Sequence, residues 1–148
     1  VLAVAPPLRV VVYRRLMLRI AERIARAAKA KALVTGEVVG QVASQTLENL
    51  SVIGEASTLP ILRPLIGFDK EEITAEAQRL GTYPISIVPD QDCCTLFTPR
   101  HPATRARRYE VAAAEAALSP AMDEMVATAA GAATVEEFKF PVIKSMAL

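Results

Sequence analysis

Residues 31–50 run KALVTGEVVGQVASQTLENL. Residues 31–35 read as a short buried strand, rich in apolar and β-branched side chains, and Gly36 ends it. Gly40 follows four residues later, and Ser44 stands where it can cap a helix with Leu47, Leu50 and Ile53 on its inner face. Open α/β sheets seat their ligands at the carboxyl ends of strands, in turns of this kind. Gly36 and Gly40 would let a ligand approach the backbone, while Gln41, Ser44, Gln45 and Thr46 supply hydrogen-bonding groups beside the helix start. The same spacing also suits a plain strand-to-helix turn that needs two glycines for its geometry. No Gly-Lys-Ser/Thr follows, so the segment is not a Walker loop.

Upstream, residues 8–13, LRVVVY, are β-branched enough to be a strand or the end of one. From Tyr13 to Lys29, Leu16, Met17, Ile20, Ile24, Ala25 and Ala28 recur at steps of three and four, which predicts a helix with that face buried. Arg14, Arg15, Arg19, Arg23 and Arg26 fall within the same segment and are expected to be a solvated face, as are Arg100, Arg105, Arg107 and Arg108 further on. Downstream, residues 60–66, PILRPLI, suggest a second extended segment. Asp69, with Glu72 three places later, makes a capping box for a helix that Gly81 ends. Residues 85–88, ISIV, suggest a last strand. Helix, strand, helix, strand, helix, strand is the order of an α/β domain, a parallel sheet flanked by helices.

The stretch 89–104, PDQDCCTLFTPRHPAT, has neither period and is long for a loop in a compact domain, which makes it a candidate for function. Helices are expected at 104–118 and 120–130, and the tail 132–148 has no clear assignment. The net charge of +1 neither favours nor excludes a nucleic-acid partner. No apolar run reaches the length of a membrane span, and the opening VLAVAPPL lacks the basic leader of a signal peptide. Cys93 and Cys94 are adjacent and form no secreted-type disulfide framework, so a cytoplasmic protein with reactive thiols is expected. The nearby Arg100 would favour a thiolate, although small buried cysteines are common and inert. Two cysteines and the single His101 give three soft ligands, one short of a zinc site, so no metal site is expected. His101 reads as a surface or phosphate-contacting residue. Lys70 could reach a phosphate, but helix capping already explains its surroundings.

Four strings, RRLMLRIAERIA, ALVTGEVVGQVASQTLENL, LRPLIGFDKEEI and DCCTLFTPRHPAT, occur in that order. Together they resemble the tRNA 4-thiouridine synthetase family, also called the thiamine-biosynthesis sulfurtransferase family, across residues 8–118. The resemblance implies a Rossmann-like PP-loop ATP pyrophosphatase domain, of the adenine nucleotide alpha hydrolase-like type. Residues 1–131 would form its carboxyl-terminal part. It implies that ATP, with Mg2+, adenylates uridine 8 of tRNA, and that a persulfide sulfur donor then replaces the 4-oxygen. Thiamine thiazole synthesis would draw on the same sulfur. By position, Arg14, Gly36 and Gln45 match residues that contact ATP, and Cys93 or its neighbour Cys94 matches the cysteine that attacks the persulfide carrier. The implied partners are tRNA, a cysteine desulfurase and a rhodanese domain or protein.

The family's Ser-Gly-Gly-x-Asp-Ser loop and RNA-binding region are not in this chain, so the expectation is a piece of a longer enzyme, inactive alone. The edge of a half sheet invites a homodimer. Two other readings compete: another ATP pyrophosphatase of the same type, thiolating or amidating tRNA, and a non-catalytic interaction or metal-binding module.

Overall fold

The computed structural model describes residues 3–89 and 99–137. A 3-10 turn at Pro6–Leu8 leads directly into helix α1, Arg9–Ala27. The expected strand over 8–13 is therefore the entry to this helix. Paired prolines preset the backbone for a helix start. A β-branched residue costs a helix only about 0.5 kcal/mol, whereas burying a valine contributes about 1.5 kcal/mol or more. Val11 and Val12 are both buried, so packing decides the outcome. The buried face of α1 is also rotated from expectation. Val11, Arg15, Leu18 and Ala25 face inward, while Met17 and Ile24 are exposed. The helix ends on Lys29, which holds a left-handed φ of +60°, with the Ala30 amide donating back to the Ala25 carbonyl at 2.8 Å.

The strand reading of residues 31–35 holds at its centre: β1, Leu33–Val34, pairs in parallel with β2, Ile61–Leu62, in the register Leu33 to Ile61 and Val34 to Leu62. Between them lies α2, Leu47–Gly54. Its cap is Thr46, whose Oγ1 accepts the Asn49 amide at 3.2 Å. Ser44 instead sits inside a 3-10 turn, Ala43–Gln45, and is buried. Moving the helix start two residues on turns Leu47 outward, and the inner face becomes Asn49, Leu50, Val52 and Ile53.

The capping box at Asp69 is present, with the Glu72 amide donating to Oδ1 and the Asp69 amide donating to the Glu72 carboxylate, each at 2.8 Å. It starts α3, Lys70–Arg79, and Gly81 follows with φ +74°. The expected strand at 85–88 is absent. Residues Tyr83–Ser86 form a helical turn, α4, and Ile85, Ile87 and Val88 are exposed. Pro84 fits the first turn of a helix and has no N–H to give a sheet. Helices α5, Arg108–Ala116, and α6, Ala121–Gly131, complete the described elements. Both pack on α1, around a core that includes Val11, Leu18, Leu33, Ile53, Val111 and Met122. The fold is thus helices around a small parallel sheet, with β1 opening its carboxyl end towards α1 and α2.

Candidate functional site

A cleft of about 320 Å3 lies at that carboxyl end. Helix α1 contributes Arg14 and Met17, the residues after β1 contribute Thr35, Gly36 and Glu37, and Gln45 closes it from the turn before α2. Arg14, Gly36 and Gln45, singled out in the sequence, therefore line one cavity. A second hollow of about 260 Å3 between α1 and α6 is lined mainly by apolar side chains and contains none of the three.

Glu37 organises the polar wall. It is buried, with Oε1 2.5 Å from Arg14 Nη2 and Oε2 2.5 Å from Arg63 Nε, while the Thr35 hydroxyl donates to Oε2 at 3.0 Å. Arg14 Nη1 also donates to the Ser44 hydroxyl at 3.3 Å. Two guanidiniums share one carboxylate, so one positive charge remains unmatched within this group. Buried Nη2 of Arg63 has no hydrogen-bond partner among the described residues.

The two glycines separate cleanly. Gly40 has φ +83°, a left-handed conformation that a side chain would strain. Gly36 has no such φ, and a Cβ built there meets nothing within 4 Å. Neither packing nor backbone geometry asks for glycine at Gly36; its bareness leaves open space in the cleft. Gln45 holds the loop in shape, its Oε1 accepting the Val38 amide at 3.1 Å and its carbonyl accepting the Gly40 amide at 3.0 Å.

The arginines of α1 do not form one solvated face. Arg15 and Arg19 both bind Glu115 of α5, at 2.8 and 2.6 Å, and Arg15 Nη1 also donates to the Val52 carbonyl. Burial alone would raise the Glu115 carboxyl, but hydrogen bonds from Arg19 and Arg15 outweigh it and hold it down to about 2. Arg26 pairs with Glu22 at 2.7 Å, and Arg23 is exposed as expected. In the later cluster, Arg105 pairs with Glu48 and Arg108 with Glu55, all four side chains being partly exposed. Lys70 and His101 are exposed and do not line the cleft. Cys93 and Cys94 lie outside the described residues, as does most of the 132–148 tail.

Sequence reasoning missed Glu37, Arg63 and Asn49. Glu37 stands inside the loop after β1, where acidic residues are usually solvated, and Arg63 interrupts an apolar stretch. A lone Asn on an otherwise apolar helix face was the available signal for Asn49. Among the described residues, no helix is long and apolar enough to cross a membrane.

A cleft at the carboxyl end of a parallel strand is the place where α/β domains seat their ligands, and the chain has the α/β class of fold. Residues 2–119 match the model of a family described as thiamine biosynthesis protein (ThiI), and the chain belongs to that family. A protein of Thermus thermophilus named "Probable tRNA sulfurtransferase" is 59% identical over 133 residues, covering 90% of this chain and 32% of the relative. A protein of the same name from Halothermothrix orenii is 48% identical over 130 residues, covering 88% and 33%. The solved structure of a 4-thiouridine synthetase–RNA complex with bound ATP superimposes with a TM-score of 0.80 at 46% identity, over 87% of this chain and 33% of that one. The chain thus spans about a third of the length of the relatives it matches.

Proposed function

We propose that this chain supplies the carboxyl-terminal part of the nucleotide-handling domain of an ATP-dependent tRNA sulfurtransferase, with residues 1–131 as that part. The carrying observation is that Arg14, Gly36 and Gln45 come from three separate segments and line one cleft at a strand's carboxyl end. The likeness to a 4-thiouridine synthetase solved with RNA and ATP supports the same reading.

The cleft suits a nucleotide on its own chemistry. It offers a fixed cation, open backbone at Gly36 and a loop stiffened by Gln45. Arg14, oriented by Glu37 and Ser44, would neutralise phosphate charge, with Mg2+ accompanying the ATP. Gly36 would admit the nucleotide against the backbone, and Gln45 would fix its position through the loop. The 4-oxygen of uridine 8 attacks the α-phosphorus, releasing pyrophosphate. The terminal sulfur of a persulfide then attacks C4 and expels AMP together with the original oxygen. A thiolate at Cys93, or at Cys94 beside it, attacks the carrier sulfur of the resulting mixed disulfide. This frees 4-thiouridine and leaves a disulfide that a thiol reductant reopens. A cysteine desulfurase, directly or through a rhodanese, would supply the persulfide in the cytoplasm, and the same sulfur would serve the thiamine thiazole.

The test uses the full-length protein with unmodified tRNA, comparing Cys93→Ala and Cys94→Ala separately. One variant is expected to lose 4-thiouridine while keeping ATP-dependent pyrophosphate release. Full activity in both would contradict sulfur handling by these thiols.

A further inference from the structure

Among the described residues that line the strand-end cleft, Arg14 and Glu37 are the only charged ones. They meet at 2.5 Å, so by themselves they make an electrically neutral wall. An anion gains little from such a wall, because approaching the guanidinium also means approaching the carboxylate. Arg63 alters that balance from behind. It follows β2 directly and does not line the cleft, yet its Nε lies 2.5 Å from Oε2 of Glu37.

The donors on Glu37 divide its two oxygens. Arg63 and the Thr35 hydroxyl take Oε2, which leaves Oε1 to a single N–H of Arg14. Arg14 is thereby kept out of the two-pronged pairing that a guanidinium forms best with a carboxylate. Its Nη1 turns instead to Ser44, 3.3 Å from the hydroxyl and 3.4 Å from the carbonyl, long contacts that a phosphate oxygen could replace. Stability alone does not account for an arginine at Arg63. Its Nη2 is buried with no partner among the described residues, against Gly54, where a Cβ would come within 3.3 Å of it. A buried donor left unpaired is costly.

We infer that Arg63 is a positioning residue for the nucleotide: it takes up the charge of Glu37 from behind and so leaves the charge of Arg14 for a phosphate group; this rests on the reading of the cleft as the ATP site. Arg63 does not itself touch the nucleotide. Affinity then follows the summed charge of Arg14, Glu37 and Arg63, rather than the presence of Arg14 alone.

Charge and hydrogen bonding at Arg63 can be separated by substitution. ATP with Mg2+ is titrated calorimetrically into the full-length protein and its variants, with folding checked by thermal melting. Arg63→Lys keeps the charge and is expected to bind ATP within about threefold of the wild type. Arg63→Gln keeps an N–H for Glu37 but removes the charge, and is expected to bind about tenfold or more weakly. Arg63→Met removes the same charge without the N–H and is expected to show the same loss. The double substitution Arg63→Gln with Glu37→Gln restores the net positive charge, while an amide oxygen still accepts from Arg14. It is expected to return to within about threefold of the wild type. A purely structural role for Arg63 would instead leave the double substitution no better than the single. That result, wild-type affinity in the uncharged variants, or an Arg63→Lys as weak as they are would overturn the inference. A folded wild-type protein that binds no ATP would overturn the reading of the cleft instead.

Discussion

Arg14 of α1 and Glu37, one residue past the strand-end glycine, meet at 2.5 Å on the wall of the cleft. The pair joins a helix to a loop 23 positions away, and Arg63 extends it to the end of β2. Glu37 is thereby the anchor on which the cleft's cation depends.

Glu37→Gln should leave two guanidiniums facing each other without their counter-charge. Removing one partner of a buried ion pair costs about 3 kcal/mol or more, and the loss should appear as a lower midpoint in urea unfolding. Adding Arg63→Met should recover part of it, because one of the two stranded charges is then gone. A Glu37→Gln protein as stable as the wild type would show that the carboxylate is dispensable.

Gly40 and Gly36 should respond in opposite ways to alanine. At Gly40, with φ +83°, the left-handed backbone makes Gly40→Ala destabilising by about 1–2 kcal/mol. At Gly36 no neighbour lies within 4 Å of the new methyl group, so Gly36→Ala should be neutral or raise stability by about 0.4–1 kcal/mol through the unfolded chain. Thermal melting of the two variants side by side checks the contrast.

Acid stability should depend on Glu115. Its carboxyl is held down to about 2 in the fold, against an ordinary value of 4.5, by hydrogen bonds from Arg19 and Arg15 that overcome its burial. A depressed folded value means that the contribution is complete above about pH 4.5 and is lost as pH falls towards about 2. The stability difference between wild type and Glu115→Gln should therefore be constant from neutral pH to about pH 5, then shrink towards zero near pH 2. Denaturant titrations across that range would show it, and a difference independent of pH would contradict the pairing.

The elements legible in the sequence were those specified by local chemistry. Asp69 and Glu72 make their box from residues three apart, and the short strand at Leu33–Val34 lies within an apolar, β-branched run just ahead of Gly36. What failed depended on distant partners. LRVVVY looks β-prone until tertiary packing buries Val11 and Val12, and ISIV looks like a strand although residues 83–86 form a helical turn. Arg15 belongs inside only because Glu115, 100 residues later, meets it there. In the cleft, Arg14, Gly36 and Gln45 were readable by resemblance. Glu37 was not, since its role exists only once Arg14 and Arg63 converge on it.

Binding of ATP in the strand-end cleft is tested by calorimetric titration of ATP into the full-length protein and its Gly36→Val variant. A Cβ at this position meets no neighbour within 4 Å, so valine adds bulk to the cleft wall where a smaller side chain is accommodated. If ATP sits there, the variant keeps its melting temperature while its ATP affinity falls by about tenfold or more, a change of about 1.4 kcal/mol. A variant that folds normally and binds ATP as tightly as the wild type would contradict it.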